Sequence, residues 1–383
     1  MTCLITSSSL GMTLTDGDGK AYIDLTAGMA SCLGHRHPAI REAIQGACDL
    51  HLGSPSDRLV SDWHQALGTP FAAFDHCQLT ASANEANELA LRLARYAPDG
   101  ERYRVITLLG SDHGDTFALR SASGRAESQR SDGPVAAGYR HVFPGDLSAI
   151  EKSIDPNTAA IFLSPMDWNR GGEPFDTQYL SDVESLCRQH DLWLVIDETK
   201  VPTGIGGSWF FHHRASVSPD LVTASAGWTG GLPGGFVLIG SRMAETMTAL
   251  QSGQCGPTWP IGRDLPLLRS VLTATARTVV SQQLLNRLDE TADAWAAMLE
   301  EGVRGFDFVR GCVSAGLWTT LELDLPAADF ATAALAAGIR VDVSGETTVL
   351  IGPPVVATAE ILLKAIQPLR GVLESIERET MSS

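Results

Sequence analysis

Residues 192–198 read Leu-Trp-Leu-Val-Ile-Asp-Glu. A short apolar run of this kind predicts a strand covered on both faces, as inside a parallel sheet. It ends in two carboxylates, Asp197 and Glu198. In open α/β sheets ligands sit at the carboxyl ends of strands. A carboxylate there can salt-bridge a protonated ring nitrogen. A second apolar segment, residues 220–225, leads into Gly227-Trp228-Thr229-Gly230-Gly231-Leu232-Pro233-Gly234-Gly235. Glycines this dense let the backbone approach a ligand or a partner chain.

The rest of the chain supports the same class. Strands are expected at 105–109 and 159–163, and an amphipathic helix at 179–190 delivers the chain to the central strand. Strand and helix in alternation predict a parallel, doubly flanked sheet. Residues 14–25 read as a hairpin with a glycine turn. Residues 124–138, rich in Ser, Arg and Gly, read as a surface loop. Residues 265–303 carry a helical pattern, 317–325 alternate as a strand, and 330–338 form a helix ended by Gly338. A short strand at 349–351 and a terminal helix at 358–376 follow.

Thr80-Ala81-Ser82-Ala83-Asn84-Glu85 stands before the helix at 89–95. Small residues at such a turn expose N–H groups, and the helix N-terminus adds positive potential, so Ser82, Ala83 and Asn84 could cup a phosphate. Ser82 and Glu85 also have capping-box spacing, and both readings can hold. His35 and His37 have no third ligand nearby, so they are read as a loop entering the helix at 38–50 and not as a metal site.

The chain has 383 residues, 44% hydrophobic and 19% charged, which is a globular composition. A net charge of −17 argues against binding nucleic acid through a general field. Seven scattered cysteines with no CxxC fit reduced thiols and a cytoplasmic location. Neither a signal peptide nor a membrane helix is expected.

Several of these stretches resemble one family, the class III aminotransferases, which are pyridoxal phosphate enzymes of fold type I. The likeness rests on Gly28 with Leu33-Gly34-His35-Arg36-His37-Pro38, on Ser82 to Glu88, and on His113-Gly114-Asp115-Thr116. It continues in Asp197-Glu198-Thr199, Thr223-Ala224-Ser225 with Thr229-Gly230-Gly231-Leu232-Pro233, and Gly256-Pro257-Thr258. It implies an α/β fold with a large domain, built on a mostly parallel sheet flanked by helices, and a smaller α+β domain. The implied boundaries are 1–50 for a segment joining the small domain, 51–260 for the cofactor domain and 261–383 for the small domain. It also implies Asp197 at the ring nitrogen, and Ser82, Ala83 and Asn84 at the phosphate. Gly256 and Thr258 would reach the phosphate of the other subunit in a homodimer.

Three positions depart from the pattern. Ala226 stands where the family lysine bonds covalently to the cofactor aldehyde. Asp112, beside His113, replaces the aromatic that stacks on the pyridine. Leu350 replaces an arginine for a substrate carboxylate. Lys200, three residues past Asp197, is then the one lysine with a route to a cofactor aldehyde, the alternative being a solvated loop lysine. Three accounts of Ala226 stand open: an introduced trapping substitution, a natural residue with pyridoxal 5'-phosphate or its amine form held noncovalently or by Lys200, and a repurposed scaffold. The leading expectation is an aminotransferase-type enzyme acting on a small amine or keto substrate. The alternative is chemistry without the cofactor, or the role of non-catalytic partner to an active homologue.

Overall fold

A computed structural model describes residues 4–49, 71, 74–96, 101–243 and 265–381. Its first strands are β1 (Thr6–Leu10), β2 (Thr13–Asp16) and β3 (Ala21–Asp24), the last two forming the expected hairpin. The strands that follow are β4 (Phe74–Thr80), β5 (Arg104–Leu108), β6 (Tyr139–Val142) and β7 (Thr158–Leu163). A two-residue hairpin, β8 (Met166–Asp167) and β9 (Glu173–Pro174), leads on to β10 (Trp193–Glu198), β11 (Leu221–Ala224) and β12 (Gly235–Gly240). The C-terminal part contributes β13 (Val309–Ala315), β14 (Trp318–Leu323), β15 (Ile339–Arg340), β16 (Asp342–Ser344) and β17 (Thr348–Ile351).

The central sheet has the order β4-β12-β11-β10-β7-β5-β6. The pairings from β11 through β10, β7 and β5 to β6 are parallel. Strand β12 runs antiparallel to both neighbours. Every residue of β7, β11 and β12 is buried, which explains why these segments are apolar without alternation. The helix Ala83–Arg95 packs Leu89 and Leu93 into the same core as Val195 and Val237.

A smaller antiparallel sheet, β13-β14-β17-β16, lies in the C-terminal part. The N-terminal hairpin belongs with it in the chain's path, because β3 pairs in parallel with β15. Asp24, fully buried, clamps that junction: it accepts from His35 at 2.7 Å and from Arg340 at 3.0 Å. His37 instead caps the helix Pro38–Cys48.

Two expectations need correction. Residues 124–138 are not a plain loop, since Ala126–Asp132 form a helix between Gly124 and Gly133. The Ser- and Arg-rich composition masked it. Ser131 hydrogen-bonds back to the Glu127 carbonyl and Arg120 bonds Ser131, so the polar side chains serve the helix. The helical stretch 265–303 is two helices, Pro266–Ser281 and Leu288–Val303. Gln283 sits at φ 53° between them, a left-handed turn that no Gly or Pro announces.

Candidate active site

Five strand ends converge. The carboxyl end of β4 gives Ser82, that of β5 gives Asp112 and His113, that of β10 gives Asp197 and Lys200, and that of β11 gives Ala226. The start of β12 closes the group. At Gly235 a Cβ would lie 3.1 Å from the carbonyl oxygens of both Ala224 and Ser82. A side chain there would push the Ser82 turn away from the strand that carries Ala226.

Asp197 is buried and bonded on both oxygens. Oδ1 accepts from the Thr199 N–H at 2.8 Å and the Thr199 hydroxyl at 2.7 Å. Oδ2 accepts from Asn87 at 2.9 Å and is 2.7 Å from His113 Nδ1. Burial pushes the Asp197 carboxyl up, and the hydrogen bonds from His113 and Thr199 outweigh it, leaving it below the usual carboxylate range. Among the described residues no lysine or arginine neutralises it. Asn87 also bonds the His113 carbonyl at 2.7 Å and accepts from the Thr223 hydroxyl at 2.5 Å. Sequence reasoning missed Asn87, Thr199 and Thr223 as parts of this network. The available signal was Asn87 itself, a polar residue on the buried face of the helix among Ala86, Leu89, Ala90 and Leu93.

Glu198, the neighbouring carboxylate, faces elsewhere. It holds the turn Phe211–Ala215 by accepting from the N–H groups of Phe211 and His212, both at 2.8 Å.

Ser82 caps the helix Ala83–Arg95, its hydroxyl accepting from Glu85 N–H at 3.1 Å, while the Glu85 carboxylate takes the Ala81 N–H. Only the Ser82 half of the capping box is formed, since Glu85 reaches one residue further back, to Ala81 and not to the N-cap N–H. These contacts leave the N–H groups of Ala83 and Asn84 without a hydrogen-bond partner among the described residues, pointing from the positive end of the helix. The Asn84 side chain leans on the loop of Gly114, where a Cβ would stand 2.2 Å from its Oδ1.

Ala226 is gripped from one side. Its N–H donates to Thr199 O at 3.0 Å and its carbonyl accepts from Thr203 N–H at 3.1 Å. Lys200 lies between those two contacts. Its ammonium is ion-paired with the Asp112 carboxylate, the two side chains being 38% and 33% exposed. The position expected to hold a stacking ring therefore holds half of an ion pair. The other side of Ala226 meets the N-terminal segment: Gly227 N–H donates to Met29 O, and Cys32 N–H to Gly227 O. At Gly227, φ is +77° and a Cβ would meet Thr203 N at 2.8 Å, so glycine is required there.

His113 is buried behind Asp197 and stacked on Phe162 at 4.0 Å, so it touches the carboxylate and not an open cleft. Leu350 is buried within β17 among the apolar core. The expected contacts of Gly256 and Thr258 fall outside the described residues.

These residues fit the noncovalent requirements of a phosphorylated, ring-protonated pyridine. Asp197 is a buried anion beside His113, and among the described residues the N–H groups of Ala83 and Asn84 at the helix end have no hydrogen-bond partner. They do not fit attachment at position 226, where alanine has no nucleophile.

Comparison with known proteins agrees. The profile of the Aminotransferase class-III family matches residues 1–373. Acetylornithine aminotransferase 1 of Bordetella bronchiseptica is 32% identical over 364 residues, covering 91% of this chain and 90% of that one. Acetylornithine aminotransferase of Mycolicibacterium smegmatis is 30% identical over 383 residues, with coverage of 97% and 94%. Among solved structures, ornithine aminotransferase from Toxoplasma gondii superposes with a TM-score of 0.87 at 22% identity, covering 99% and 92%. A transaminase from Virgibacillus gives 0.88 at 19%, covering 99% and 94%. The two structural likenesses speak to the fold.

Proposed function

The chain belongs to the class III aminotransferases, a pyridoxal phosphate-dependent family of fold type I, and from that premise we propose how it works without the family lysine. It binds pyridoxal 5'-phosphate or its amine form and acts on a small amine or keto substrate, a reading supported by its likeness to proteins named acetylornithine aminotransferase. The observation that carries this is Asp197. Held by His113, Thr199 and Asn87 below the usual carboxylate range, it is a fixed buried anion that a protonated ring nitrogen can pair with. Bound there, the cofactor supplies an electron sink for bonds at the substrate carbon.

The chain's own residues do the rest. Thr199, Asn87 and His113 hold Asp197 in place and anionic. The N–H groups of Ala83 and Asn84 receive phosphate oxygens. The backbone of Ala226 is fixed by Thr199 and Thr203 and would hold the side of the cofactor that the family lysine holds. A substrate carboxylate is not held from position 350, where the side chain is packed away. We infer a homodimer, or a dimer with a related subunit, from the resemblance at Thr258, which implies a contact with the other subunit's cofactor, together with the glycine-rich Gly227–Gly235 segment. Light scattering at micromolar protein checks it, and a monomer with no partner contradicts it.

The test is the absorbance spectrum of purified protein with added pyridoxal phosphate, alongside equilibrium dialysis. Saturable binding with a shifted spectrum supports the reading. Absence of binding rejects it in favour of a scaffold repurposed for other chemistry or for a partner role.

A further inference from the structure

We propose that Lys200 supplies the amine that position 226 lacks, with Asp112 as the group that orients Lys200. This rests on the cofactor reading above.

The chain has four lysines. Lys20 donates to Ala336 O and lies over Tyr22 in the N-terminal hairpin. Lys152 is exposed on the helix Leu147–Ser153. Lys364 pairs with Glu360 on the terminal helix. Lys200 alone stands at the carboxyl ends of the central strands. Its backbone is fixed on both sides, because Thr199 bonds Asp197 and Ala226 while Thr203 bonds Ala226 again. Lys200 is thus held between the ring-nitrogen carboxylate and the position where the family attaches its cofactor.

Its side chain is aimed as well. Asp112, the partner, adjoins His113, and His113 bonds Asp197 at 2.7 Å. Both members of the pair are anchored to the same buried carboxylate, one through Thr199 and one through His113. The pair itself is partly open, so a ligand can reach it. An ion pair with no function beyond the surface contributes little to stability and needs no such anchoring.

The step balances with no further reactant but water. The ammonium first gives one proton to water, which reaches the partly exposed pair. The freed lone pair on Nζ bonds the aldehyde carbon and the C=O bond breaks. The two hydrogens left on Nζ depart with the aldehyde oxygen as water, leaving a C=N bond. Asp112 in the place of a stacking aromatic is then a partner for the relocated amine.

The full chain is incubated with pyridoxal phosphate, reduced with borohydride, and examined by intact mass and peptide mapping, with equilibrium dialysis run in parallel without reductant. The expected result is one adduct per chain, on Lys200. Lys200→Arg keeps the charge opposite Asp112 and should abolish the adduct while dialysis still shows binding. Asp112→Asn should slow trapping on Lys200 about a hundredfold, the order of loss for a misplaced reacting group, and Asp112→Glu should recover most of that rate. Binding without a Lys200 adduct overturns the proposal, as does an adduct spread over Lys20, Lys152 and Lys364. An unchanged rate in Asp112→Asn removes Asp112 from it. Absence of any binding in dialysis rejects the cofactor reading itself.

Discussion

His113 Nδ1 stands 2.7 Å from Asp197 Oδ2, and the imidazole is stacked on Phe162 of the neighbouring strand. This bond crosses 84 residues of chain and fixes the carboxylate against the sheet, so Asp197 needs no rearrangement to meet a ligand. A preorganised charge of this kind loses little on binding.

Asp197→Asn should therefore weaken pyridoxal phosphate binding by about a hundredfold, since a hydrogen bond to a charged group is worth about 1.5–3 kcal/mol. Ser82→Ala removes one neutral contact and should cost about fivefold, on the order of 1 kcal/mol. Dialysis of both variants checks the ratio. Equal, negligible effects would mean that the cleft binds something else.

Acid stability should report two buried carboxylates. Burial pushes Asp24 up, but the His35 hydrogen bond, the Arg340 charge and Thr26 bring it below the usual range, as the network does for Asp197. A carboxylate whose folded pKa is depressed stabilises fully above its unfolded value of about 3.9 and loses that contribution as pH falls through the folded one. The urea midpoint should be level near neutrality and drop below about pH 4. Asp24→Asn should start lower and drop less steeply over that range.

Ala226→Lys should create a second trapping site. The backbone of 226 is already held by Thr199 and Thr203, and Ser225 closes its turn through Gly234 O at 2.7 Å. Borohydride reduction followed by peptide mapping should find the adduct at position 226. An adduct that stays wholly on Lys200, or fails at both, would show that the loop does not aim 226 at the aldehyde.

Gly28→Ala should destabilise the protein by about 2–3 kcal/mol, the range for forcing a methyl into a closed contact. A Cβ there would stand 2.6 Å from Gly352 O and 2.7 Å from Pro353 O. Gly28 N–H also bonds Gly352 O at 3.1 Å, so the strain falls on the seam between the N-terminal segment and the Pro353–Pro354 stretch. Denaturant unfolding measures it, and a change within experimental error would deny that seam its role.

The strand with its terminal Asp197, the Ser82 turn and the glycine-dense turn after Ala224 were legible because each is a local matter. Apolar runs, caps and positive-φ turns depend on residues a few positions apart. The helix Ala126–Asp132 was not legible, because serine and arginine read as loop until their bonds to carbonyls are seen. The break at Gln283 was not legible either, since its left-handed backbone has no composition signal.

The sequence by itself determined the family resemblance, the positions facing the carboxyl edge, and the absence of a lysine at 226. Only the tertiary structure decided that Asp112 meets Lys200 and that Asn87 joins Asp197 across 110 residues. The reason is the strand order. Strand β7 lies between β5 and β10, and that order brings the loops after β5 and β10 together over it. Spacing along the chain carries no information about that encounter.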